Sequence, residues 1–227
     1  MTFSIIGIDK KNNEMGIACF SKAFGVGGIV PELDLNLGAI AVQSFPNVLY
    51  KPKAMKLLND GFSVKKVLDK ILLGDKDKDI RQILLMNKEG EAIGFTGQKN
   101  VKFAGHLIGK NCIVGGNMLA GENILLKIKE AFEKSKGDLA NKLMRALKAV
   151  GLKGDKRDLN FGSAGLIVEK LSAGVLGFGN RYLDLRIDYS KNAIKDLENL
   201  LKIRLKMIRE KDKNKKNSLY EKLKNQD

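Results

Sequence analysis

Residues 2–9 (TFSIIGID) are apolar on both alternations, with Phe3, Ile5 and Gly7 on one side and Ile6 and Ile8 on the other. That pattern predicts a strand covered on both faces. The polar turn at residues 10–14 leads into MGIACFS, so an N-terminal hairpin is expected. A third apolar run, LNLGAIAVQSF at residues 35–45, follows a loop punctuated by Gly25, Gly27, Gly28 and Pro31. These three runs are expected to form one sheet.

Helical spacing begins after Asn47. Pro52 opens a short helix through Leu58 that Gly61 closes, because proline suits a first turn and glycine the residue past the last. Ser63 caps the next helix, where Val64, Val67, Leu68, Ile71 and Leu72 form an amphipathic stripe. Short strands at 82–87 and 92–96 make a second hairpin, and paired helices follow at about 121–134 and 138–150, the latter capped by Asp138. Strands return at 163–169 and 181–188. In the last of these Leu183, Leu185 and Ile187 alternate with charged residues, which marks an edge or half-exposed strand. A final helix from about Lys191 to Arg209 carries Ile194, Leu197, Leu201, Leu205 and Ile208. Strands in hairpins and helices in pairs argue for an α+β fold of antiparallel sheets under helical layers, not for alternating βαβ units.

The 227 residues, 44% of them hydrophobic, suffice for one core. A single domain over residues 1–209 is expected, with residues 210–227 a basic tail that lacks apolar periodicity and frays. No apolar run approaches the roughly 18 residues that cross a bilayer, and no signal segment opens the chain, so the cytoplasm is the expected location. Cys19 and Cys112 lie in separate apolar segments and read as reduced core thiols. One histidine and no cysteine cluster leave no metal site of ordinary ligation, and no cofactor is implied. The net charge of +15 raises nucleic acid as a partner. Scattered lysines, mixed-sign helices and the absence of tryptophan argue against it, since a nucleic-acid surface interleaves arginines and aromatics. Glycine-rich stretches fail the phosphate-loop and dinucleotide fingerprints: residues 105–110 are one residue short, and Gly25, Gly27 and Gly28 open no helix.

Chemistry concentrates at Thr2. With Met1 removed, its hydroxyl is a nucleophile and its own α-amine, of ordinary pKa about 7.7–8, a base. The plainer reading is a β-branched strand starter. Asn117, placed before a helix, offers an amide to an oxyanion with help from the helix dipole, or else bonds its own loop. His106 is a proton-transfer group or an ordinary hydrogen-bonded loop residue. Gln43 and Ser44 end an apolar strand and are open to either reading.

In order, TFSIIGID, MGIACFSK, VGGIVP, LGAIAVQSFPN, YKPKAMKLL, DIRQILLMNKEGEAIGFTG, AGH, GGNMLAG, GDKR and RYLDLRID resemble the family catalogued as domain of unknown function ten-twenty-eight. That family is grouped with the N-terminal-nucleophile (Ntn) hydrolases, and the resemblance covers about residues 2–201. It implies a four-layer αββα sandwich with Thr2 at the nucleophile position. It also puts Lys22, Gln43, Ser44, His106 and Asn117 in motif positions. Phe103 stands where the family pattern has tryptophan before AGH, and LNFGSAG replaces a shorter link. The expected activity is hydrolysis of an amide or related acyl bond in a small-molecule or peptide-like substrate. Asn117 or a main-chain N–H near Ser44 would hold the oxyanion, and Lys22, Gln43, Ser44 and His106 would line the substrate site. The alternative is a non-catalytic module that binds a small polar ligand around His106 and Asn117. Exposed strand edges and the long last helix fit a homodimer.

Overall fold

The computed structural model describes residues 1–150 and 161–224, with side chains for all of these except 176 and 211–224. The GDKR motif and the start of LNFGSAG lie outside the described residues.

The chain opens with β1 (Thr2–Asp9) and β2 (Glu14–Ser21), a hairpin pairing Thr2 with Ser21 and Asp9 with Glu14. The glycine-punctuated loop that follows is more ordered than its composition predicts. It holds the short helix α1 (Val26–Ile29) and β3 (Pro31–Asp34) ahead of β4 (Gly38–Ser44). Helices α2 (Tyr50–Asn59) and α3 (Val64–Leu72) come next. Pro52 lies in the first turn of α2, where its missing N–H costs nothing. Ser63 caps α3 through Lys66 N–H. The second hairpin is β5 (Arg81–Asn87) and β6 (Ala92–Thr96).

The third glycine-punctuated stretch is a hairpin that periodicity does not predict, β7 (Gly105–Gly109) and β8 (Cys112–Asn117). Two of its glycines answer to close approach: a Cβ on Gly115 would lie 2.6 Å from a Leu84 methyl, and one on Gly116 3.0 Å from Thr2 O. Then come α4 (Asn123–Lys134), α5 (Leu139–Lys148, capped by Asp138), β9 (Gly162–Lys170), β10 (Arg181–Ser190) and α6 (Ala193–Lys224). Among the described residues, no helix is long and apolar enough to cross a membrane.

The strands form two antiparallel sheets, in the orders β10-β9-β2-β1-β8-β7 and β3-β4-β5-β6. The expectation that the first three apolar runs share one sheet is therefore wrong: β1 and β2 lie in the six-stranded sheet and β4 in the four-stranded one. Local alternation cannot tell a hairpin partner from a strand of the facing sheet. Odd residues of β1 (Phe3, Ile5) pack with α4, α5 and α6 in one core cluster. Even residues (Ile6, Ile8) meet Ala39, Ala41, Leu84 and Met86 of the other sheet in a second. A third cluster joins Ile40, Val42, Ile83 and Leu85 to α2 and α3. Burial on both faces is why β1 reads apolar on both alternations.

Candidate functional site

The register brings the ends of several strands together. Thr2 lies opposite Ser21 on one side and Asn117 on the other, and Ser21 lies opposite Ser163. Cross-strand partners share a face, so this row of side chains looks toward the four-stranded sheet, as Ser4, Ile6 and Ile8 do. In the next row Ser4 pairs with Gly115, and Gly115 with His106. The facing sheet answers with Gln43 opposite Gln82 and Gln82 opposite Thr96. Uncharged polar residues thus replace the apolar filling at this end.

They form one hydrogen-bonded network. Ser4 Oγ donates to Gln43 Oε1 at 2.6 Å, and Gln43 Nε2 donates to Gln82 Oε1 at 2.8 Å. Asn117 Nδ2 donates to the same Gln82 oxygen at 3.1 Å. Gln82 Nε2 reaches Thr96 Oγ1 (2.9 Å) and the carbonyls of Gly105 (2.9 Å) and Gly116 (3.0 Å). Thr96 Oγ1 meets His106 Nδ1 at 2.9 Å. Ser4 and Gln82 are fully buried and Gln43 and Asn117 nearly so. Low dielectric strengthens such a network and makes any missing partner expensive. Burial pushes the His106 pKa down, favouring the neutral ring. The imidazole sits where a Cβ on Gly94 would be, 2.3 Å from a ring carbon, so only glycine leaves it room.

At Thr2 the geometry is a short relay. Ser21 Oγ donates to Met1 O at 3.2 Å and lies 2.9 Å from Thr2 Oγ1. A serine has one proton, so the Thr2 hydroxyl is the donor to Ser21. Lys22 N–H also donates to Met1 O, at 3.1 Å. Two non-glycine residues with positive φ flank this corner, Ser44 at 74° and Met118 at 54°. Strained backbone of this kind clusters at functional sites.

All six predicted residues (Thr2, Lys22, Gln43, Ser44, His106 and Asn117) stand at this end, although three expectations need correction. His106 is on β7, not in a loop. Asn117 ends β8, and α4 begins only at Asn123, too far for a dipole that fades within the first turn. The main-chain N–H following Ser44, that of Phe45, is committed to Ile80 O. Sequence reasoning misses Ser4, Ser21, Gln82 and Thr96. A signal for them exists: each is a polar residue at an inward position near the end of a strand otherwise filled with Ile, Leu, Phe or Ala.

Beside His106 a cleft of about 350 Å³ is lined by Thr96, Asn100, Lys102 and Gly105. Asn100 is 6% exposed, and its Nδ2 is committed to the carbonyls of Arg81 (2.8 Å), Gly97 (2.9 Å) and Asp79 (3.4 Å). Its Oδ1 has no hydrogen-bond partner. Cys19 and Cys112 belong to clusters on opposite faces of the six-stranded sheet, and burial pushes both thiols up to about 12, which makes them inert. Among the described residues no group of three His, Cys, Asp or Glu could hold a metal.

Comparison with known proteins agrees over most of the chain. Residues 2–197 match the family described as a family of unknown function, DUF1028. The crystal structure of a Silicibacter pomeroyi protein of that description superposes with a TM-score of 0.80 at 30% identity, covering 88% of this chain and 84% of that one. Among curated proteins none matches at a significant level.

Proposed function

The chain belongs to the family of unknown function DUF1028, and on that footing we propose that it is a hydrolase of the Ntn type, acting on an amide or related acyl bond. The αββα layering of that superfamily is the fold reading that accompanies it. The observation that carries the proposal is the Thr2 hydroxyl, hydrogen-bonded to Ser21 at the polar end of the space between the sheets. After release of Met1 its α-amine is the nearest base, and an amine of ordinary pKa about 8 accepts a proton at neutral pH. In this scheme the hydroxyl attacks the acyl carbon, and the amine takes the proton and returns it to the leaving nitrogen or oxygen as that bond to the acyl carbon breaks. Water activated by the same amine then cleaves the acyl-Thr2 ester, releasing the acid and restoring the hydroxyl. One hydrogen of the Asn117 amide is held by Gln82, which fixes the side chain and turns the other into the candidate oxyanion donor.

The test is covalent labelling of a chain that begins at Thr2 with an activated acyl ester, followed by locating the adduct. Thr2→Ala should lower acylation to background with the fold intact, and Thr2→Ser should retain it. An adduct elsewhere, or undiminished labelling of Thr2→Ala, removes the mechanism.

The second reading, a small-ligand module, is favoured by the open acceptor of Asn100 beside the His106 cleft. The intact mass of native protein separates the two: retained Met1 blocks the amine and supports the binding module.

A further inference from the structure

Met1 is held as a ligand would be. Its residue is 1% exposed and belongs to the core cluster between the six-stranded sheet and helices α4 to α6. Its carbonyl accepts two hydrogen bonds, from Lys22 N–H and Ser21 Oγ. Its main-chain nitrogen lies 3.7 Å from Met118 Sδ, on the strained residue that follows Asn117. An unbranched, flexible, apolar side chain is buried on one side and a carbonyl gripped by two donors on the other, with the Thr2 hydroxyl hydrogen-bonded to one of them.

We infer that the space Met1 fills is the acyl-group subsite of this protein, and that its substrates carry an unbranched apolar acyl portion such as a methionyl or short n-alkyl group. This rests on the hydrolase reading of Thr2. Release of Met1 leaves Ser21 Oγ and Lys22 N–H without the carbonyl they now hold, directly beside the amino alcohol of Thr2. It also leaves an apolar cavity, and such cavities stay dry and take up apolar molecules of matching size. A β-branched group does not suit a space shaped by a straight chain, and a charged one loses its solvation there. Ser21 is a positioning residue in this scheme: it orients the acyl carbonyl and accepts the Thr2 hydroxyl hydrogen bond.

The experiment uses a chain made to begin at Thr2 by cleavage of an N-terminal fusion, titrated calorimetrically with N-acetyl-methioninamide, N-acetyl-valinamide and N-acetyl-glutamic acid amide. The methionine probe should bind at least about tenfold tighter than the other two, and the chain retaining Met1 should bind none of them. Ser21→Ala should weaken the methionine probe about tenfold, the scale of one hydrogen bond, with Ser21→Thr restoring it. If the shortened chain melts too early for calorimetry, the same ranking is read from the rise in melting temperature each probe produces. Equal affinity for the three probes, or binding undiminished by Met1, overturns the inference. A companion labelling with methionine p-nitrophenyl ester separates the two proposals. Selective binding without acylation of Thr2 leaves the subsite and removes the hydrolase; acylation of Thr2 by esters of every acyl shape leaves the hydrolase and removes the subsite.

Discussion

The space between the two sheets is filled in two different ways, and the two halves divide the labour. At the far end Ile6, Ile8, Leu84 and Met86 interlock as ordinary apolar core. At the Thr2 end Ser4, Gln43, Gln82, Thr96, His106 and Asn117 occupy the equivalent inward positions and are joined by hydrogen bonds. The apolar half gains about 25 cal/mol for each Å² removed from water and tolerates imperfect geometry. Hydrogen bonds in the polar half return only about 0.5–1.5 kcal/mol net each, and a group left without a partner costs about 1–3 kcal/mol. A core needing stability alone would continue Ile and Leu to the end of each strand. The polar half is therefore where the proposed chemistry has its groups.

The largest effect should come from removing the hub of the polar half. Gln82→Ala strands the amides of Gln43 and Asn117 and the carbonyls of Gly105 and Gly116, and with each stranded group costing on the order of 1 kcal/mol it should destabilise the protein by about 4 kcal/mol. Joint replacement of Gln43, Gln82 and Asn117 by Leu should cost less than Gln82→Ala alone, because the Gln43 and Asn117 amides leave with their partner and the added apolar groups offset the Ser4 hydroxyl and the Gly105 and Gly116 carbonyls that still lose theirs. Urea unfolding of the variants checks both. If the triple variant is the less stable, the network is structural glue and the two halves do not divide the labour.

In the apolar half Leu84→Ala should cost about 3 kcal/mol by the same measurement, the usual range for a buried leucine being about 2–5 kcal/mol. Leu84 methyls lie over the missing Cβ of Gly115, so Leu84→Ala should also make Gly115→Ala better tolerated than it is in the wild-type chain. Additive effects would show that the sheets do not meet at these two residues.

The same division explains which parts of the molecule are legible in its sequence. Helices and most strands are, because α3, α5 and α6 repeat apolar residues at helical spacing, β5 is a continuous apolar run and β10 alternates. The β7–β8 hairpin is not, because Gly105, Gly109, Gly115 and Gly116 erase the alternation, and the reason for the last two lies in Leu84 of the facing sheet and in Leu119 past the end of β8. At the site, Thr2, Gln43 and Asn117 are legible and fall at one end of the fold. Which strands face one another stays hidden, and with it Gln82, whose partners come from four different strands.

The smallest and most discriminating effect is in pH. Burial holds the His106 pKa below the ordinary 6.5, so folding favours the neutral ring. Its contribution is fully present above about pH 6.5 and is lost as pH falls through the depressed folded value, since the unfolded chain then binds more protons. The far end contains a group of opposite sign. Burial raises the Glu169 carboxyl above its ordinary 4.5, against the pull of Leu35 N–H and Arg181. Its contribution is present below the unfolded value and is lost as pH rises through the folded one. His106 is the one histidine of the chain, so the limb below pH 6.5 is expected to follow it. His106→Gln should flatten that limb and leave the Glu169 limb in place, and Glu169→Gln should do the reverse, in urea unfolding from about pH 4 to 8. The acid limb that remains in both variants belongs to carboxylates such as Asp75, which the Tyr50 hydroxyl and Arg81 hold down at about 2, and it should develop from about pH 5 downward. A His106→Gln profile that still falls between about pH 6.5 and 5 would show that another group carries that limb and that folding does not favour the neutral imidazole, and the neutral polar half would have to be redrawn without it.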